Sequence, residues 1–182
     1  MKRCFGLWLA VVVFVTLSAC VSAGRFPEAV GLWRGGSEAR ALDLARAEYE
    51  RFRDGNDLSE ASVVSDLEAV RAVYRETPIV LDGDELVPEA ARHESEGLSK
   101  GSMAESLKTD LMSTGVFRVF RAIQTVARLG VARHAVELLA IVWRRDPFAV
   151  DHASLAKTSP ARRSLLVKRA ALDALEKLRQ TR

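Results

Sequence analysis

Three histidines, His93, His134 and His152, are the imidazoles available for chemistry, and none sits at metal-binding spacing. A His-Glu-x-x-His helix or a Cys/His cluster would set its ligands around one ion, and neither pattern occurs. His93-Glu94 and Asp151-His152 are adjacent pairs, and neighbours in sequence point apart on a helix, so neither pair reads as an acid/base dyad. Asp82, Asp84 and Glu85 offer oxygen ligands for a cation, but the loop lacks the remaining ligands and closing Glu of a calcium loop. Ser102 reads as a helix cap, not a nucleophile. Single carboxylates such as Glu105 could serve a sugar-cleaving enzyme but carry no specificity alone. No nucleophile elbow and no phosphate-cradling glycine loop is present. The expectation is a chain with no catalytic residue, no metal site and no cofactor.

Cysteine carries the one specific chemistry. Cys4 and Cys20 are the two thiols, and both lie near the N-terminus. Lys2 and Arg3 form a positive tip, Phe5–Val15 ("FGLWLAVVVFV") is apolar, and small residues fill 16–24. This order is that of a secretory signal peptide. The apolar run is shorter than the roughly 20 residues that span a bilayer as a helix. Leu17-Ser18-Ala19-Cys20 then resembles the lipobox of bacterial lipoprotein precursors. The resemblance implies a diacylglyceryl thioether on Cys20, cleavage between Ala19 and Cys20, and further acylation, as with palmitate, at the new amino group. Val21-Ser22-Ala23 is a competing site for ordinary signal peptidase, and cleavage there would leave a free protein. With Cys4 removed, at most one thiol remains, so the mature domain must rest on its core without a disulfide. Val21 stands where an Asp favours inner-membrane retention. The resemblance therefore implies the inner leaflet of the outer membrane, facing the periplasm.

The remainder must supply the folded body. Residues 20–36 hold four glycines and one proline and read as a tether, about 50 Å long if extended at about 3.3 Å per residue. Phe26, Leu32 and Trp33 are apolar enough to dock part of it instead. Residues 37–182 read as one all-α domain. Ser37 starts a helix to about Arg53, with Leu42, Ala45, Tyr49 and Phe52 on one face, and Gly55-Asn56 stops it. Asp57-Leu58-Ser59-Glu60 resembles a capping box for a second helix, with Val63, Leu67, Val70 and Tyr74 inward. A third begins near Ser102, turns Leu107 and Leu111 inward, and stops at Gly115. Residues 116–129 read as a central core helix, interrupted by Gly130 and followed by another from about Ala132 to Arg145. Ser159-Pro160 starts the sixth and last, with Leu165, Leu172, Leu175 and Leu178 as its stripe. Between Pro78 and Pro88, Asp82-Gly83 is a type I′ hairpin dipeptide flanked by short apolar runs, and a small hairpin near 79–87 and an irregular loop stand as equal readings.

Charge is divided along the chain. Residues 21–110 hold 11 Lys/Arg and 19 Asp/Glu, net −8, and residues 111–182 hold 14 against 5, net +9. Halves packed on one another would largely neutralise, whereas an uncovered basic face would suit an anionic polymer, a lipid surface or an acidic envelope protein. Two further resemblances fall on the basic half. Gln124–Ala140 is similar to a helix-turn-helix, with Gly130 in the turn and Ala127 three residues before it, where the motif has its alanine four before. Residues 116–147 resemble one tetratricopeptide repeat through Gly130, Ala135, Leu139 and Asp146-Pro147, with Ile123 where that repeat has a small residue. Three functions follow. The first is a lipid-anchored envelope protein that binds or scaffolds, its membrane reached through the anchor and nucleic acid not among its partners. The second is a periplasmic enzyme on envelope polymers or lipids. The third, if nothing is exported, is a cytosolic DNA-binding protein.

Overall fold

The computed structural model describes residues 25–76, 80–81, 84–85 and 100–181. Among them are seven α-helices: α1 (25–34), α2 (Glu38–Asp54), α3 (Glu60–Glu76), α4 (Lys100–Leu111), α5 (Val116–Leu129), α6 (Ala135–Trp143) and α7 (Pro160–Gln180). Short 3-10 turns cover Ala132–His134 and Ala153–Leu155. Two two-residue strands, β1 (Val80–Leu81) and β2 (Asp84–Glu85), pair antiparallel, Val80 opposite Glu85 and Leu81 opposite Asp84. Asp82 and Gly83, on which the expected hairpin turns, lie outside the described residues. The fold is all-α. No helix among the described residues is long and apolar enough to cross a membrane.

α7 is the axis of the core. Its sequence places Leu165, Leu172, Leu175 and Leu178 on one stripe, and all are buried, together with Leu166, Val167, Ala170, Ala171 and Ala174. So broad an apolar surface needs neighbours on several sides, and α2, α3, α5 and α6 all pack against it. Its start follows the sequence signal: the Ser159 side chain accepts from the Arg162 N–H at 3.3 Å, and Pro160 occupies the first turn. Ser159→Ala is expected to lower unfolding free energy by about 1 kcal/mol. An unchanged denaturant midpoint would show that the cap contributes nothing.

α5 is strongly amphipathic and buries Val116, Phe117, Val119, Phe120, Ala122, Ile123 and Val126, as a core helix should. Gly130 ends it in the left-handed region, at φ 65°, a conformation that costs glycine little. Val63, Leu67 and Val70 of α3 and Leu107 and Leu111 of α4 are buried as their spacing predicts.

Four local expectations are corrected. Residues 25–34, within the expected tether, form α1, which buries Ala29 and Trp33 and sets Phe26 against Trp143 at 5.7 Å between ring centroids, so the alternative in which Phe26, Leu32 and Trp33 dock on the domain holds here. Phe26, Ala29, Val30 and Trp33 recur at helical spacing, and docking that stripe on the core outweighs the cost of glycines in and after it. Ser59, not Asp57, caps α3, with the Ser62 N–H donating to its Oγ at 3.3 Å. Glu60 therefore stands in the first turn and reaches across to other helices instead of closing a capping box. Gly115 is not the stop of α4, which ends at Leu111; it is the N-cap of α5. Ser102 is the third residue of α4 and not its first.

Candidate functional site

Two polar grooves flank α7. The first, about 300 Å³, lies between α2, α3 and α7 and centres on Glu60. Tyr49 Oη donates to Glu60 Oε2 at 2.7 Å, Arg53 Nη1 reaches the same oxygen at 3.2 Å, and Arg169 Nη1 bonds Oε1. Arg169 also donates to Asp173 at 3.1 Å, and Arg71 reaches Asp173 at 2.8 Å. Burial, then the Glu60 carboxylate, push the Tyr49 phenol well above its ordinary pKa, so it stays a donor. Glu60 thus has a donor on both oxygens from two helices besides its own, and it acts as a clamp. The Glu60 and Arg169 side chains are each 35% exposed, so solvent screens the pair and the clamp sets geometry more than it adds stability.

The second groove, also about 300 Å³, lies where α3, α5 and α7 meet. Ala127, Ala170 and Ala174 form its apolar floor. Arg71, Gln124, Arg128, Asp173 and Lys177 form its polar rim.

The most unusual buried group is Lys168 of α7, 1% exposed. Its ammonium donates to the carbonyls at the end of α6: Arg144 O at 2.7 Å, Val142 O, and Ile141 O at 3.4 Å. α6 ends before Asp146-Pro147, which leaves its last carbonyls without intrahelical donors, and Lys168 supplies three N–H groups there. The Phe52 ring lies 4.8 Å from Nζ. Burial, helped by the neighbouring Arg145 and Arg144 and opposed by Glu48, lowers the Lys168 pKa to about 7. Glu48, 1% exposed, is held by Arg145 at 2.7 Å, and Arg51 lies 2.9 Å from its other oxygen without the alignment of a hydrogen bond.

The residues singled out in the sequence do not converge. Ala19, Cys20 and His93 lie outside the described residues. Glu105 is exposed on α4. His134 is buried, its pKa lowered by burial against the pull of Glu137 at 3.8 Å, and its Nε2 has no hydrogen-bond partner among the described residues. Asp151 and His152 both face α5. The Asp151 carboxylate accepts the N–H groups of Phe117 at 2.7 Å and Arg118 at 3.0 Å, and the His152 ring stacks on Phe117 at 4.4 Å. Among the described residues no group of three His, Cys, Asp or Glu side chains is arranged to hold a metal ion.

Lys168 and Glu48 carried a readable signal that the sequence reading missed. Lys168 falls three after Leu165 and four before Leu172, on the apolar stripe, and Glu48 falls three after Ala45 and four before Phe52. A charged residue on a buried face needs a partner, and here both have one. No family model matches this chain, and neither a curated protein nor a solved structure matches it.

Proposed function

We propose that the chain is a lipid-anchored protein of the bacterial cell envelope, attached through Cys20, which acts by binding or scaffolding and not by catalysis. The observation that carries this reading is Leu17-Ser18-Ala19-Cys20 at the end of a short apolar run behind Lys2 and Arg3. Acyl chains on Cys20 hold the protein at the inner leaflet of the outer membrane, and two or more chains make the attachment stable.

The docking of α1 sharpens what that attachment does. Residues 20–24 alone separate the anchor from the helix at residue 25, a reach of about 17 Å when fully extended. The domain therefore rides close above the lipid surface, not at the end of a long leash. Binding is favoured over catalysis because the charged groups where the acidic and basic halves meet are engaged in ion pairs between helices, at Glu48–Arg145, Glu60–Arg169, Asp66–Arg162 and Asp110–Arg118. Metabolic labelling with a palmitate analogue tests the anchor. The wild-type chain is expected to label and fractionate with membranes, and Cys20→Ala to lose the label. Equal labelling of the two would refute the attachment.

A further inference from the structure

The geometry points to the groove between α3, α5 and α7 as a binding site for a phosphate group, with Arg128 and Lys177 as its principal ligands and Gln124 beside them. The cations of the basic half meet different surroundings on the two sides of α7. On one side of α7, Arg162 and Arg169 meet carboxylates of α3, namely Asp66 and Glu60. On the other side α7 faces α5, whose fourteen residues contain no Asp or Glu. Arg128 from the last turn of α5 and Lys177 from the last turn of α7 enter the groove there. Both are exposed, and neither forms an ion pair with a carboxylate among the described residues.

Arg71 closes the third side. It is held by Glu68 at 2.6 Å and Asp173 at 2.8 Å, and Asp173 is shared with Arg169. The one carboxylate of the groove is therefore already engaged by two guanidiniums. Arg128 and Lys177 face a common space whose one carboxylate is already taken, so they repel one another, and an anion seated between them removes that cost. A phosphate suits the set: guanidinium forks match its oxygens, an ammonium adds a point charge, and the Gln124 amide donates to a remaining oxygen. The alanine floor admits the ligand's carbon end without a polar demand of its own. The phosphate class rests on the envelope reading above, because phospholipid headgroups lie within reach of the anchored domain; the cationic geometry does not.

The test titrates the full chain at low ionic strength with inorganic phosphate. Separate titrations use short-chain phosphatidylglycerol and phosphatidylcholine, both kept below micelle formation so that the acyl anchor does not dominate. Arg128→Gln with Lys177→Gln is expected to weaken binding on the order of tenfold to a hundredfold. Lys157→Gln, an exposed charge outside the groove, should leave it nearly unchanged. Lys177→Gln alone serves if the double variant melts early. Phosphate binding that the groove variants abolish supports a free phosphate ligand. Binding confined to phosphatidylglycerol and lost in the same variants supports a headgroup. Binding of none of the three probes, or equal weakening by Lys157→Gln, overturns the site. A chain that labels with palmitate yet binds none of them loses the groove and keeps the anchor, and the reverse result separates the two the other way.

Discussion

Lys168→Met is expected to erase a rise in stability that the wild-type chain shows between about pH 7 and pH 10. The ammonium sits among core side chains at 1% exposure, with a pKa lowered from 10.5 to about 7. In the unfolded chain the same amine titrates near its ordinary value. Below pH 7 both states are protonated, and folding carries the full cost of burying the charge. Between the two pKa values the unfolded chain binds the extra proton, so raising the pH favours the folded state. Above 10.5 both are neutral and the term is constant. A displacement of this size corresponds to about 4–5 kcal/mol across the window.

Methionine has nearly the same length and no proton, so the variant is flat where wild type climbs. The difference between the two unfolding free energies, taken at pH 6, 8 and 10, isolates Lys168 from the other lysines and from Tyr49. It should shift in favour of wild type as pH rises. A difference constant over that range would show that the amine keeps its ordinary pKa. Lys168→Ala is expected to be worse at every pH, by roughly 3–5 kcal/mol, because it opens a cavity and takes from the carbonyls of Val142 and Arg144 the ammonium that donates to them.

Lys168 also shows what a sequence does and does not disclose. α7 was readable at both levels, since Ser159-Pro160 marks its start and the leucine stripe its buried face, and both are local properties of one helix. α5 was readable for the same reason. α1 was missed because Pro27 and four glycines across residues 20–36 outweighed the spacing of Phe26, Ala29, Val30 and Trp33, and a helix that short is stable only where a core receives it. The capping box at Asp57–Glu60 failed because Glu60 finds better partners on α2 and α7 than on its own N-terminus, a preference no local pattern encodes. The grooves were illegible for a stronger reason. Arg71, Arg128 and Lys177 lie far apart in sequence and become neighbours only when α3 and α5 pack on α7. The charge division between the halves was visible, but which cations would be paired and which left open depends on which faces of the helices meet.

Gly115→Ala is expected to destabilise the fold by about 2–3 kcal/mol, a melting point lower by roughly 5–10 °C for a chain of this size. The obstacle is space and not backbone angle: Gly115 has φ −70° and ψ 123°, which alanine adopts freely. A methyl group there would lie 2.2 Å from Asp151 Oδ2 and 2.8 Å from its Cγ. That carboxylate cannot simply swing away, because it caps α5 through the N–H groups of Phe117 and Arg118, the work an N-cap side chain does in most helices. Nor can the backbone retreat cheaply, since Val116 N–H donates to Ala149 O at 3.0 Å and Ala149 N–H to Thr114 O at 2.8 Å, which pins the Gly115 and Asp151 segments together. A double-mutant cycle isolates the contact between Gly115 and Asp151. Asp151→Ala alone should cost about 1–2 kcal/mol for the lost cap. In that background Gly115→Ala should cost much less, because Oδ2 and Cγ are gone and only the Cβ of residue 151, 3.2 Å away, remains in its path. Additive effects of the two substitutions would mean that Gly115 is required for some reason other than the approach of Asp151.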